Sequence, residues 1–290
     1  MSAHTSPGAL IRRALLNGQR RPRTPGSSPT SKHGDGYEFV ELRAYVPGDD
    51  VRRIDWAASA RSVDLQTRVI LEEVSLTLGG IVDDTPSMRV GRRRPLLVAA
   101  YEALRAWYDL AGSDDRCVRV VGDAVYPARG ERGAASAIVA LQAIGSFDLT
   151  RSLRVARSAL RPGAALLAIG DWFDLQKKDD SLLHALSKRC DCTALIARDP
   201  WYDGLPLAGV VRMQGAEGGT LRAYIGGRER QAYARAVRER EAELLKRFAG
   251  AGWRAGLLFE SNGVASLAAA FGLRRAASGP EPSQSFRSWG

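Results

Sequence analysis

Short apolar runs that end in carboxylates, separated by stretches with helical spacing, constrain this chain more than any other feature. Residues 76–82 form one such run and finish in Asp83-Asp84; residues 165–169 form another and finish in Gly170-Asp171. Runs of this length, bounded by polar residues, read as buried strands. Between them Leu96, Leu97, Ala100, Leu104, Trp107 and Tyr108 recur at helical spacing, and Pro95 suits a first helical turn. The same reading predicts strands at 117–121, 193–197 and 253–259, a short edge strand at 124–126, and helices at 135–144, 149–160, 181–189 and 264–273. Alternating segments on either side of Gly218-Gly219 predict a hairpin within 207–225, and residues 228–248 predict a charged amphipathic helix. Strands alternating with helices imply an α/β fold, a doubly wound, mostly parallel sheet of the Rossmann type. Such sheets bind ligands beyond the carboxyl ends of their strands, where the strand order reverses. Two strands that end in acids therefore mark where chemistry is to be sought.

Composition narrows the function classes. With 290 residues and 45% hydrophobic content the chain can bury a proper core. No apolar run approaches the ~18 residues of a membrane helix, and the N-terminus lacks the apolar stretch of a signal peptide, so a cytoplasmic protein is expected. Three cysteines, Cys117, Cys190 and Cys192, make no disulfide framework. Cys190 and Cys192 share a strand face without a second ligand pair, which favours buried apolar residues over a soft-metal site. The net charge of +10 invites a nucleic-acid reading. However, the 42 basic residues include only five lysines and the arginines are scattered, apart from Arg92-Arg93-Arg94 and Arg20, Arg21 and Arg23. A solvated basic face is the better reading, and nucleic acid is an unlikely partner.

The segment Asp83-Asp84-Thr85-Pro86-Ser87 places an acid and two hydroxyls at alternate positions. In a loop leaving a strand, that spacing can aim three oxygen ligands at one point. Hard oxygen donors with few charges suit Mg²⁺ or Mn²⁺, which keep several waters, and Asp171 would add a carboxylate from a neighbouring strand. This pattern resembles the metal-ion-dependent adhesion site of von Willebrand factor A domains, with Thr85 in place of the usual first Ser. The resemblance also implies a Thr from a later loop. There the chain reads Gly145-Ser146-Phe147-Asp148-Leu149-Thr150, with Phe147 at the expected position and Thr150, Asp148 or Ser146 as possible substitutes. The competing reading is a helix-capping turn at Thr85-Pro86-Ser87.

A longer match lies upstream. Gly34-Asp35-Gly36-Tyr37-Glu38-Phe39, then the segment 42–56 (Leu-Arg-Ala-Tyr-Val-Pro-Gly-Asp-Asp-Val-Arg-Arg-Ile-Asp-Trp), then Ser59-Ala60-Arg61, resembles the hallmark of the bacterial family termed "domain of unknown function 58". The resemblance covers roughly residues 35–271. It implies a von Willebrand factor A-like domain and a partner role beside MoxR-type AAA+ ATPases, as a non-enzymatic adaptor or chaperone-like assembly factor acting on a client protein. No catalytic constellation accompanies it.

The expected organisation is a disordered basic tail at 1–34, a small β-rich N-terminal extension at 35–74, the α/β domain at 75–274 with a hairpin insertion at about 205–227, and a C-terminal tail at 275–290. In the extension Arg43, Asp49, Asp50, Arg52, Arg53, Asp55 and Arg61 form a dense charged group. They read as a partner-docking surface or, more plainly, as mutual ion pairs, with Trp56 in the core. Two other function classes compete. A phospho-receiver would use Asp83-Asp84 for Mg²⁺ and Asp123 as acceptor, but lacks the Lys after its last core strand. A metal-dependent hydrolase or phosphatase would use Asp83, Asp84 and Asp171, with no histidine nearby: His4 and His33 are in the tail and His184 is mid-helix.

Overall fold

A computed structural model describes residues 6–19, 37–47, 51–72, 75–129, 148–215 and 218–273. The described residues fall into two compact units, one made of residues 6–19 and those from Leu76 onward, the other of the described residues between them.

The larger unit is a six-stranded sheet: β3 (Thr77–Val82), β4 (Arg116–Val121), β5 (Ala124–Arg129), β6 (Ala165–Gly170), β7 (Asp191–Ala197) and β10 (Arg254–Leu258). The strand order is β10-β7-β6-β3-β4-β5, parallel throughout except for β5, which pairs antiparallel with β4. The fold is therefore a mixed α/β one with a mostly parallel central sheet. As an edge strand β5 tolerates Pro127.

Both faces of the sheet are covered, so the central strands read as apolar throughout; every residue of β6 is buried. Alternation decides which side chain goes where. Ala165, Leu167 and Ile169 join the core under α3 (Leu96–Tyr108) and α7 (Gly263–Ala270), while Leu166 and Ala168 join the core under α4 (Leu149–Ala159), α5 (Asp180–Ser187) and α6 (Gly227–Gly250). Helix α3 packs unusually close because β3 carries Gly80: a Cβ there would lie 2.4 Å from the Tyr108 hydroxyl oxygen. Trp107 and Tyr108 use the proximity to donate to strand carbonyls, Gly79 at 3.0 Å and Val118 at 2.9 Å. The hairpin expected around Gly218-Gly219 is β8 (Gly209–Gln214) paired with β9 (Thr220–Ile225). Among the described residues no helix is long and apolar enough to cross a membrane.

One expectation is overturned at the N-terminus. Within the supposed tail, Pro7–Gln19 forms helix α1. Ile11 and Leu15, four apart on one face, are buried in the same core as α3. Arg12 pairs with the buried Asp115 and donates to the Leu110 carbonyl at 2.6 Å. Apolar residues at helical spacing outweigh the polar bias of the surrounding sequence. The rest of the expected tails and the helix expected at 135–144 lie outside the described residues.

The smaller unit contains β1 (Tyr37–Ala44) antiparallel to β2 (Gln66–Glu72), with the one-turn helix α2 (Trp56–Ser59) between them. Asp55 caps α2 by accepting from the Ala58 amide at 3.0 Å, and Ser59 accepts from the Gln66 amide at 2.8 Å. Two residues of the sequence hallmark, Asp55 and Ser59, thus serve local turn chemistry. Trp56, expected in the core, is 68% exposed because it sits at the start of so short a helix. Arg43, Arg52 and Arg61 are exposed; Asp49, Asp50 and the Arg53 side chain lie outside what the structure describes.

If α1 is an integral part of the larger unit, Leu15→Ala should lower stability by about 2–4 kcal/mol, the range for a fully buried leucine. Urea unfolding of the two proteins measures this; an unchanged midpoint would show that α1 does not dock.

Candidate functional site

The site follows from topology. Strands β3 and β6 are neighbours, yet the chain leaves β3 for α3 on one face and β6 for α5 on the other. Their carboxyl ends therefore flank a crevice of the kind doubly wound sheets use for ligands. A cleft of about 420 Å³ lies there, lined among others by Asp83, Thr85, Ser87, Thr150 and Asp171.

Asp83 is 3% exposed and its amide still belongs to the sheet, donating to the Ile169 carbonyl at 2.8 Å. Its carboxylate fits because Gly170 stands opposite: a Cβ on Gly170 would lie 2.9 Å from the Asp83 Cβ and 3.0 Å from Oδ2. Oδ1 accepts from the Thr85 amide at 2.9 Å. Burial pushes the Asp83 carboxyl up to about 6; hydrogen bonds from Thr85 pull the other way, and the neighbouring charge of Asp171 adds to the rise.

Thr85 occupies the cap position of the short turn Pro86–Arg89, but its hydroxyl makes no capping hydrogen bond. It lies instead 2.8 Å from the Ser87 hydroxyl, which donates to Asp171 Oδ2 at 2.5 Å. Capping alone therefore does not account for these hydroxyls. They form a chain of oxygens running from one strand end to the other. Asp171 is held by the Phe173 amide, which donates to Oδ1 at 2.9 Å, and by Arg240 of α6, which donates to its backbone carbonyl at 3.0 Å. The Arg240 guanidinium also stacks on the Phe173 ring, 3.5 Å from its centroid. Between them Trp172 adopts a left-handed conformation (φ 60°), a strained choice for a bulky residue, with its indole buried edge-on against Phe248.

The four principal residues expected from the sequence thus meet at one crevice. Of the possible additions, Thr150 lines the cleft, whereas Asp148 caps α4 by accepting from the Arg151 amide at 2.9 Å. Ser146 and Phe147 lie outside the described residues. Asp84 pairs with Arg89, and Asp123 with Arg151, and neither lines the cleft. His184 is exposed on α5, with Nδ1 2.8 Å from the Asp180 carbonyl oxygen. Sequence reasoning missed Phe173, Asp174 and the hairpin glycines Gly215 and Gly218, which also border the cleft, and Arg240, which holds the Asp171 carbonyl. Arg240 and the hairpin lie far along the chain and carry no local signal linking them to Asp83.

A comparison within the molecule separates this site from structural burial of an acid. Asp115, 2% exposed, accepts from the Leu76 amide at 2.6 Å and the Gly112 amide at 2.7 Å, and pairs with Arg12. Asp83 and Asp171 have no ion-pair partner among the described residues. Two carboxylates with hydroxyls beside them, in an open cleft, are donors suited to a hard divalent cation that keeps waters. Among the described residues no three His, Cys, Asp or Glu side chains gather as a metal cluster, so water would supply the balance.

The fold and this crevice define the chain as a parallel-sheet α/β protein with an acid- and hydroxyl-lined edge at its switch point. A family model, "Protein of unknown function DUF58", matches residues 41–243, and the chain belongs to that family. An uncharacterized protein of Mycobacterium tuberculosis strain ATCC 25618 / H37Rv, Rv1480, is 28% identical over 233 residues, which cover 76% of this chain and 73% of that protein. The uncharacterized protein Mb1516 of Mycobacterium bovis matches to the same extent. No solved structure matches the chain.

The raised Asp83 value makes a stability prediction. The folded state holds a proton on Asp83 up to about pH 6, the unfolded state only to about 3.8. Stability from this group is therefore full below pH 3.8 and lost as the pH rises towards 6, a deficit on the order of 3 kcal/mol at neutral pH. Asp83→Asn should accordingly melt higher than wild type at pH 7.5 in EDTA, with the gap closing towards pH 4. A variant that melts lower at pH 7.5 would mean the buried charge is already compensated.

Proposed function

We propose that this protein is a non-enzymatic adaptor or assembly factor with a von Willebrand factor A-like domain, whose β3–β6 edge takes Mg²⁺ or Mn²⁺ and, through it, an acidic side chain of a partner. The observation that carries this is the convergence of Asp83, Thr85, Ser87 and Asp171 into one hydrogen-bonded oxygen chain beside an uncompensated buried carboxylate. When bound, the cation would supply an open coordination position for a partner's carboxylate. Asp83 and Asp171 provide the charge, while Thr85 and Ser87 provide neutral oxygens already held at the strand ends. Phe173, stacked under Arg240, keeps the Asp171 loop in place.

The non-enzymatic reading rests on the company these groups keep. Ser87 donates to a carboxylate rather than to a histidine, so the Ser–His pairing of the common hydrolases is not what supports this site. The partner expected from the family resemblance is a MoxR-type AAA+ ATPase, with a client protein as third component.

Calorimetric titration with Mg²⁺ and Mn²⁺ tests the site. Wild type should bind one equivalent saturably, and Asp83→Ala and Ser87→Ala should each weaken binding by about tenfold or more. Absence of binding at millimolar metal, or equal binding by Asp83→Ala, would dispose of the cation-bridged reading. A MoxR-type ATPase retained as well in EDTA as in Mg²⁺ would remove the metal from partner recognition.

A further inference from the structure

A second concave surface lies away from the Asp83 cleft, between the loop before β8 and the first half of α6. It has a volume of about 630 Å³ and is lined by Arg92, Asp203, Gly227, Arg230, Arg235 and Arg238, among others. The α6 contributions, residues 227, 230, 231, 234, 235 and 238, follow helical spacing, so one face of the helix forms the wall. That face carries three arginines and no acid.

Charge in the groove is unbalanced. Its one acid, Asp203, is already taken: Arg92 holds it through two hydrogen bonds, at 2.6 and 3.2 Å. Arg230 donates from Nε to the Gly226 carbonyl at 3.4 Å, leaving the rest of its guanidinium turned to solvent. Neither Arg235 nor Arg238 has an acidic partner among the described residues, although Glu239 lies one turn beyond Arg235 on the same helix. Like charges stacked along a helix face destabilise it slightly. An anionic occupant would remove that penalty and engage planar donors suited to carboxylates.

We infer that this groove binds an acidic segment of a partner protein. Its lining includes no aromatic ring on which bases could stack, which suits carboxylates better than a nucleic-acid strand. The inference stands independently of the cation reading, because none of the groove residues lines the Asp83 cleft.

The test is fluorescence anisotropy with a fluorescein-labelled ten-residue poly-glutamate peptide, run in EDTA so that the cleft holds no divalent ion. Arg235→Glu/Arg238→Glu should weaken binding by about tenfold or more. Asp83→Ala should bind like wild type. Arg157→Glu/Arg161→Glu, exposed at the end of α4, outside the groove lining and equal in charge change, should lose less than about threefold, as screening of charges outside the groove implies. Thermal melts establish that the groove variants fold, with Arg235→Gln and Arg238→Gln as milder replacements. Equal losses in the groove and control pairs, or none in the groove pair, would overturn the assignment. So would tighter, equally arginine-dependent binding of a ten-nucleotide single strand.

Discussion

Everything distinctive about this molecule depends on the parallel pairing of β3 with β6. Both strands are buried on both faces, so neither can shift register without turning every side chain into the opposite, differently shaped core. Their fixed register sets Gly170 opposite Asp83, and the missing Cβ is what lets a carboxylate occupy the junction. The chain then departs to opposite faces of the sheet. Neighbouring strand ends are thereby left uncovered, and the polar groups there converge on a crevice rather than on a packed loop.

The energetics of the two buried acids show how differently one side chain can be used. Asp115 joins two amides and an arginine, and ties α1, the approach to β3 and the approach to β4 together. Its burial is compensated within the protein. Asp83 is hydrogen-bonded by Thr85 but has no cationic partner among the described residues and faces another carboxylate, and the left-handed Trp172 adds backbone strain next door. Such concentrations of unrelieved charge and strain are characteristic of binding sites. The proposed cation and the proposed acidic partner would each relieve a different imbalance, negative at the β3–β6 edge and positive in the α6 groove.

Strand and helix placement was largely legible because the central elements are buried on both sides, and such segments announce themselves as apolar runs or as helical spacing. The four site residues were legible for the same reason, since each follows a strand whose end could be located. Two misreadings have physical causes. Residues 7–19 look like part of a polar tail, and only the presence of a core for Ile11 and Leu15 makes them helical. Trp56 looks like core by its size, but a one-turn helix capped by Asp55 has no far side against which to bury it.

The sequence by itself determined the alternation of strands and helices, the acids at the strand ends and the membership of a family. These are properties of short segments, governed by hydrophobic period and by side chains that bond their own neighbours. Tertiary structure alone decided that Ser87 meets Asp171, that Arg240 clamps the loop beside it, that Thr150 borders the cleft, and that Arg92 neutralises Asp203. Those contacts join residues tens of positions apart, and their geometry comes from strand order and helix packing, which no local pattern encodes.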